Sequence, residues 1–257
     1  MDKFCSITNQ NKLRAKILLR KIIPDGLVRR FKILKYGENY VPAIGKINFG
    51  DFRRIKPMSN DFGYTRGGPI DRYYIEKFLL KFSSDIKGTV LEVGDNKYTI
   101  EYGNHHVIKS DILDINRKNK KATIIADLTN ADHVPSNTYD CVILTHVISM
   151  IYDYRSALRT IHRILKPSGV LLLTSGVGFK IHGNPNCDIH WNISDICFKR
   201  ILGEFFQADK ITTQRYGNIL TMVSFLFGIG RTEISDKEYN FNDNDYPVIF
   251  GVRAMKD

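Results

Sequence analysis

The chain has 257 residues, of which 43% are hydrophobic and 25% charged, and its formal net charge is +11. These fractions are typical of a globular protein and exclude a disordered, collagen-like or disulfide-scaffold chain. The longest apolar run, Ile219 to Ile229, contains Ser224 and Gly228 and is shorter than the roughly 20 residues that cross a bilayer. With no signal-like apolar stretch at the N-terminus and four scattered cysteines, the sequence predicts a cytoplasmic protein without disulfides or a metal site.

Residues 1–36 hold most of the positive charge, with ten Lys/Arg against two Asp for a net charge of +8. Within them, five apolar residues have the spacing of one helix face: Ala15, Leu18, Leu19, Ile22 and Ile23. Pro24 is expected to end this helix. We predict a basic helical extension over residues 1–60. Its partner is an anionic surface at the inner face of a membrane, a glycosyltransferase, a second subunit in a homodimer, or the rest of the chain.

The remaining residues, 61–257, are predicted to form one α/β domain. Short β-rich runs alternate with helical stretches, which is the pattern of βαβ units in a parallel sheet. The predicted strands are 89–93, 106–110, 123–126, 141–145, 170–175, 210–216 and 248–255. Helices are predicted over 70–82, 153–165 and 217–227, and a surface loop over 235–246. The expected fold class is a Rossmann-like, seven-stranded, mostly parallel sheet with an N-terminal helical extension.

Acidic side chains lie where the first three predicted strands end. In an open parallel sheet, ligands bind at the carboxyl ends of the strands, near the switch point in strand order. Asp111 lies 19 residues after Glu92, a separation at which a carboxylate accepts both hydroxyls of a ribose. Asp127, one strand later, is placed to accept from the exocyclic amine of an adenine. The sequence therefore predicts a nucleoside at this edge.

Residues 139–147 and 157–172 resemble the class I S-adenosylmethionine-dependent methyltransferases. The second segment contains Arg-Ile-Leu-Lys-Pro-Ser-Gly, similar to the family's R-hydrophobic-L-K-P-G-G, with Ser168 in place of the first glycine. The resemblance covers roughly residues 70–255 and implies the class I fold, S-adenosylmethionine as cofactor and S-adenosylhomocysteine as product. Residues 71–76 and 90–103 resemble a bacterial subgroup often found beside glycosyltransferases, which implies a glycan or a lipid-linked sugar as acceptor.

The first loop departs from the family pattern E/D-x-G-x-G-x-G. Only Gly94 remains, followed by Asp95 and Asn96. Since Asp and Asn tolerate left-handed backbone better than other non-glycine residues, we expect these two to complete the turn. The alternative is a non-catalytic, methyltransferase-like accessory domain of a glycan-biosynthesis complex.

The resemblance implies a cofactor site at the strand ends. Its expected residues are Glu92, Gly94 and Asp95 around the methionine moiety, Asp111 on the ribose, Asp127 and Leu128 at the adenine, and Thr145 and His146 at the sulfonium. Three upstream residues are further candidates for the methionine carboxylate: Arg66, Arg72 and Tyr73.

Methyl transfer to a hydroxyl requires removal of its proton, so a general base is expected. His146 is preferred because it ends the fourth predicted strand at the cofactor edge and imidazole titrates near neutral pH. His190 is the second candidate, beside Trp191, which is placed to stack on a sugar ring. The leading function is thus methylation of a hydroxyl of a saccharide or another small molecule. An RNA acceptor is disfavoured because the excess charge lies in residues 1–36, without interleaved aromatic residues.

Overall fold

The computed structural model describes residues 24–178, 182–184 and 187–257. They divide into two compact units between Arg53 and Arg54. The basic helix predicted over residues 15–23 lies outside the described residues, and the predicted boundary at residue 60 stays a prediction. In the first unit, helix α1 spans Asp25–Tyr36. Pro24 stands directly before it, where the missing N–H of proline costs no helical hydrogen bond.

The second unit is built on a seven-stranded sheet. Its strands are β1 Gly88–Val93, β2 Val107–Asp114, β3 Ile124–Ile125, β4 Tyr139–Thr145, β5 Leu165–Gly176, β8 Ile211–Tyr216 and β9 Ile249–Met255. A separate antiparallel pair consists of β6 His182–Asn184 and β7 Cys187–Asp188. The helices are α2 Ile70–Lys81, α3 Lys97–Gly103, α4 Tyr154–Ile164, α5 Asp195–Leu202, α6 Ile219–Leu226 and α7 Asp236–Asn240.

The strand order is β3-β2-β1-β4-β5-β9-β8. Strands β1 to β5 pair in parallel, and β9 is antiparallel to both β5 and β8. The chain leaves β1 for β2 on one side and returns to β4 on the other, which places the switch point between β1 and β4. The predicted seven-stranded, mostly parallel α/β sheet is confirmed.

Helices cover both faces of this sheet because alternate strand residues point to opposite sides. On one face, Val142 and Leu144 of β4 pack in a cluster with Leu158 of α4. On the other face, Cys141 and Ile143 pack with residues of α2, α3 and α6. Helix α4 begins at its predicted place because the Asp153 side chain accepts from the Ser156 N–H as an N-cap.

Three predicted elements were wrong in detail. Strand β5 was expected to begin at Val170 but begins at Leu165, directly after α4. Strand β2 was expected to end at Ser110 but continues to Asp114, because Ile112 and Leu113 are buried and pair with Glu92 and Val93 of β1. The surface loop predicted over 235–246 contains the short helix α7. Ser235 and Glu238 form a capping box at its start, and Tyr239 is buried.

Candidate functional site

A cavity of about 430 Å³ opens at the carboxyl ends of β1 and β4, beside the switch point. Its wall combines the loop before α2, the first turns of α2, the β1–α3 loop and the end of β4. The lining residues are Tyr64, Gly67, Gly68, Pro69, Arg72, Glu76, Val93, Gly94, Asp95, Lys97, Tyr98, Thr145 and Arg231. Of the predicted site residues, Arg72, Gly94, Asp95 and Thr145 meet here.

The turn after β1 depends on a single glycine. Gly94 has φ +91°, and its N–H donates to the Leu113 carbonyl of β2 over 2.9 Å. A Cβ added at Gly94 would meet no atom within 4 Å, so the space above this residue is open. Asp95 and Asn96 do not take the left-handed backbone expected of them. Asp95 instead accepts from the Lys97 N–H at the start of α3.

Glu92 binds the start of α3 from within the sheet. Its buried carboxylate accepts from the backbone N–H groups of Tyr98 and Thr99, at 3.2 and 2.7 Å, and from the Thr99 hydroxyl at 2.7 Å. Burial raises the pKa of Glu92 to about 7, although these hydrogen bonds work in the opposite direction. Glu92 thus fixes the helix that carries Lys97 and Tyr98 to the cavity. Its predicted contact with the methionine moiety stays a prediction.

Asp111 does not lie at the carboxyl end of β2, which corrects the placement expected from sequence. It pairs with Leu91 in the middle of the sheet and is almost fully buried. Its carboxylate accepts from Lys109 Nζ at 2.7 Å, Thr123 Oγ1 at 3.0 Å and the Tyr139 hydroxyl at 3.2 Å. Tyr139 is the first residue of β4, so these contacts hold Asp111 away from the edge where β4 ends.

Asp114 takes the position that was assigned to Asp111. It is the last residue of β2, beside Gly94 on the neighbouring strand end. The Asn119 amide links the two, donating to Asp114 Oδ2 at 2.7 Å and to the Gly94 carbonyl at 2.8 Å. Asp114 was not among the predicted site residues because β2 was expected to end before the first acid, although the apolar pair before Asp114 is typical of a continuing strand.

Asp127 and Leu128 follow β3. Asp127 is exposed, and its Oδ1 accepts from both the N–H and the hydroxyl of Thr129 at 2.8 Å. Leu128 is buried in the core cluster beneath the sheet edge. Neither lines the cavity at Gly94, and their predicted contacts with the adenine stay predictions.

Of the three upstream candidates, only Arg72 lines the cavity. Arg72 donates to the Tyr98 hydroxyl over 2.7 Å. Burial alone would lower the pKa of Arg72, but Tyr98 and Asp71 raise it overall. Arg66 instead forms a two-pronged ion pair with Glu233, at 2.8 and 2.7 Å. The Tyr73 ring stacks on Tyr239 with the centroids 4.1 Å apart.

Sequence reasoning missed several lining residues. Arg231 lies far along the chain and reaches the cavity through an ion pair with Glu76 at 3.0 Å, and no local pattern marked either residue. Lys97 and Tyr98 follow the recognised turn directly and could have been assigned from it. The Gly67-Gly68 pair was recognised as a loop but not as part of the site. Both glycines have positive φ, which lets the loop turn into α2.

His146 lies next to the lining residue Thr145, where β4 ends. Its backbone is left-handed, with φ +57°, and its N–H donates to the Thr174 carbonyl. Its Nε2 lies 3.3 Å from Oδ2 of Asp71, in the first turn of α2. Burial alone would raise the pKa of Asp71, but hydrogen bonding and charge from His146, with a contribution from Arg72, lower it overall. An ionised carboxylate therefore orients the histidine.

His190 lies in a separate aromatic group near the same strand end. The backbone N–H groups of His190 and Trp191 both donate to the Ser149 carbonyl, after β4. The Trp191 ring stacks on Tyr152 with centroids 5.7 Å apart and meets Tyr154 edge-on. Tyr152 is exposed, and His190 meets its ring edge-on. Trp191 is half-buried on this surface.

Comparison with known proteins relates this chain to methyltransferases. A family described as "Methyltransferase domain" matches residues 90–173. The ubiquinone/menaquinone biosynthesis C-methyltransferase UbiE of Haemophilus ducreyi is 33% identical over 73 residues, which span 26% of this chain and only 28% of that enzyme. A SAM-dependent methyltransferase from Archaeoglobus fulgidus superposes with a TM-score of 0.50 at 17% identity, over 72% of this chain and 94% of its own.

The sheet order and the structural similarity define the class I methyltransferase fold. Residues 90–173, the part that matches the methyltransferase domain family, run from β1 through β5 and include Gly94, Asp114, Thr145 and His146. Among the described residues, no helix is long and apolar enough to span a membrane.

Proposed function

We propose that this protein transfers a methyl group from S-adenosylmethionine to a hydroxyl of a saccharide or another small molecule. The observation that carries the proposal is the cavity at the carboxyl ends of β1 and β4, within a methyltransferase fold. The methyltransferase domain family, which matches the strands that form the cavity, supports S-adenosylmethionine as the cofactor.

The residues at the cavity fit this cofactor. The open space at Gly94 admits a ligand against the backbone, where any side chain would stand in the way. Arg72 and Lys97 supply positive charge for the methionine carboxylate. Asp114 is not among the lining residues, but it ends β2 beside Gly94 and 20 residues after it, which suits a carboxylate that accepts from the ribose hydroxyls. When bound, the cofactor supplies the methyl group on its sulfonium.

His146 and Asp71 support a hydroxyl acceptor. As a general base, His146 at the end of β4 would take the proton from a hydroxyl as the oxygen accepts the methyl group. Asp71 then stabilises the imidazolium that forms. Tyr152 and Trp191 present aromatic rings in the segments that follow β4 and β5, which suits stacking with a sugar ring.

A carbon acceptor is the second candidate, because the UbiE of Haemophilus ducreyi is by its name a C-methyltransferase. A third hypothesis is a non-catalytic accessory domain, which would retain the fold without binding the cofactor. The hypotheses of a hydroxyl acceptor and of a carbon acceptor share the cofactor site and differ only in the acceptor.

Calorimetric titration with S-adenosylhomocysteine tests the cofactor site. We expect binding to the intact protein, and Asp114→Asn to weaken it by about tenfold or more through loss of charge-assisted hydrogen bonds. Asp111→Asn is the matched control and should change the affinity less than about threefold, since its carboxylate faces Thr123 and Tyr139. If titration of the intact protein with S-adenosylhomocysteine gave no heat of binding, the hypothesis of a non-catalytic accessory domain would be favoured.

Release of S-adenosylhomocysteine in the presence of saccharides or of quinols then tests the acceptor. Turnover with a saccharide supports the hydroxyl acceptor. Because a quinol also carries hydroxyls, turnover with a quinol alone supports methylation at carbon only if NMR of the product places the new methyl group on a ring carbon. Trp191 is the only tryptophan in the chain. Quenching of its fluorescence by a saccharide acceptor, in the cofactor-loaded protein, would report the sugar at the aromatic surface.

A further inference from the structure

Helix α1 exposes an apolar stripe. Leu27, Phe31 and Leu34 follow the spacing i, i+4 and i+7, which places them on one face of the helix. Their exposed fractions are 57%, 70% and 84%. A protein in water gains free energy by burying such residues, at roughly 25 cal/mol for each Å² of apolar surface. The exposed stripe therefore indicates a surface that binds something outside the described part of the chain.

Cations border this stripe on both sides. With 100° between successive residues of a helix, Arg30 lies about 70° to one side of the stripe's centre and Lys35 about 70° to the other. Lys32 follows on the side of Lys35. Long basic side chains in these positions extend alongside an inserted apolar face and keep their charges at the level of lipid headgroups.

Further exposed apolar residues follow α1 in the same compact unit. Val41, Ile44, Ile47 and Phe49 are all exposed, and Lys46 lies among them. Scattered apolar residues are normal on a protein surface, but this density within 23 residues, from Leu27 to Phe49, is typical of an interaction surface.

We propose that α1 lies in the surface of an anionic membrane, with Leu27, Phe31 and Leu34 inserted and Arg30 and Lys35 at the headgroups. Charge decides between this partner and a second copy of the chain. Residues 1–36 carry a net charge of +8, so two copies meeting through this segment would repel each other. An anionic lipid surface attracts the same charge, with about 1 kcal/mol for each Lys or Arg near the surface.

Co-sedimentation of the full-length chain with vesicles tests this proposal. We expect binding to vesicles of equal parts phosphatidylglycerol and phosphatidylcholine and much weaker binding to phosphatidylcholine alone. The double variant Phe31→Gln/Leu34→Gln should bind the anionic vesicles at least about tenfold more weakly, because each side chain loses most of its burial energy. Arg30→Gln/Lys35→Gln should lose about 25-fold, or about fivefold for each cation.

Ile33→Gln is the matched control, since Ile33 is also exposed, at 43%, but lies on the opposite side of α1. It should bind the anionic vesicles as the intact chain does. Equal losses for Ile33→Gln and for the stripe variant would overturn the proposal, as would absence of binding to the anionic vesicles. Light scattering without lipid measures the oligomeric state. If the intact chain were a dimer and the variant Phe31→Gln/Leu34→Gln a monomer, the stripe would bind a second copy of the chain instead of a membrane. S-adenosylhomocysteine affinity should stay unchanged in every α1 variant, which separates this proposal from the proposed function.

Discussion

Nε2 of His146 lies 3.3 Å from Oδ2 of Asp71, and this contact joins the end of β4 to the first turn of α2. Both side chains are largely buried, and Asp71 Oδ1 has no hydrogen-bond partner among the described residues. The Asp71 carboxylate thus depends on His146 and on the nearby Arg72 charge to remain ionised. Arg72 lines the cavity and His146 is the proposed base. Because Asp71 interacts with both, it links the proposed cofactor site to the proposed base.

Asp71→Asn should therefore lower methyl transfer by about tenfold or more while the affinity for S-adenosylhomocysteine changes less than about threefold. The amide cannot stabilise an imidazolium as the carboxylate does. Initial rates of S-adenosylhomocysteine release with a saturating acceptor measure the first effect, and calorimetry measures the second.

The double variant His146→Gln/Asp71→Asn distinguishes this positioning role from a merely structural one. If Asp71 acts through His146, the double variant should be about as slow as His146→Gln alone. Rate losses that multiply would contradict the coupling and leave Asp71 as a residue that stabilises the fold.

Arg72 and Arg66 were equal candidates for the methionine carboxylate in the sequence, and the structure separates them. Arg72→Gln should weaken S-adenosylhomocysteine binding by about tenfold or more, through loss of a charge-assisted hydrogen bond inside the cavity. Arg66→Gln removes an exposed pair with Glu233 outside the cavity. It should leave the affinity within about twofold and change the unfolding free energy little, because exposed ion pairs contribute little to stability. The opposite ranking in calorimetry would return the role to Arg66.

The strands and main helices were predictable because their burial patterns are local. Alternating or continuous apolar runs marked the strands, and helix α4 carries its apolar stripe between an Asp cap and a Lys-Pro breaker. The error at β2 was also local: an acid within a strand, held by Thr123 and Tyr139, was taken for an acid at its end.

The site was less predictable because its wall joins distant segments. The turn at Gly94 and the end of β4 at Thr145 followed from the strand pattern and the family resemblance. Arg231 and the contact between Asp71 and His146 depend on how α2 packs against the sheet, and no spacing in the sequence encodes that packing. A one-dimensional pattern shows which residues end strands, but not which residues from other elements face them.

Gly94 and Gly103 should respond differently to alanine. At Gly94 a methyl group enters open space at the cavity, so Gly94→Ala should weaken S-adenosylhomocysteine binding by about tenfold or more and cost about 1 kcal/mol of stability for the left-handed backbone. At Gly103 the methyl group would contact side chains of Ile86 and Val107. Gly103→Ala should cost about 1 to 3 kcal/mol through overpacking and leave the affinity of the folded protein within about twofold.

Urea unfolding and calorimetry on both variants give the two quantities. If Gly94→Ala lost only stability, the open space at Gly94 would not be where the ligand lies.

Glu92 should make the protein less stable as the pH rises from about 4.5 to about 7. Its pKa is raised from 4.5 to about 7 in the folded state because it is buried. Over this range the unfolded chain loses the Glu92 proton while the folded chain keeps it, so the unfolding free energy falls with rising pH. The contribution is on the order of 3 kcal/mol across the range. Glu92→Gln removes the titrating group and should flatten the slope, even though the amide also weakens the contacts with Tyr98 and Thr99 at every pH.

Urea unfolding at pH 5, 6 and 7 gives this slope for the intact chain and the variant. Glu101→Gln, an exposed glutamate in the same helix α3, is the control and should retain the slope of the intact chain. At each pH, the unfolding free energy of Glu92→Gln is subtracted from that of the intact chain. This subtraction cancels the titration of all other groups, so the remaining pH dependence belongs to Glu92. A variant slope equal to that of the intact chain would mean that the hydrogen bonds from α3 hold Glu92 ionised despite its burial. The start of α3, and with it Lys97 at the cavity wall, would then be fixed by a charged cap at all these pH values.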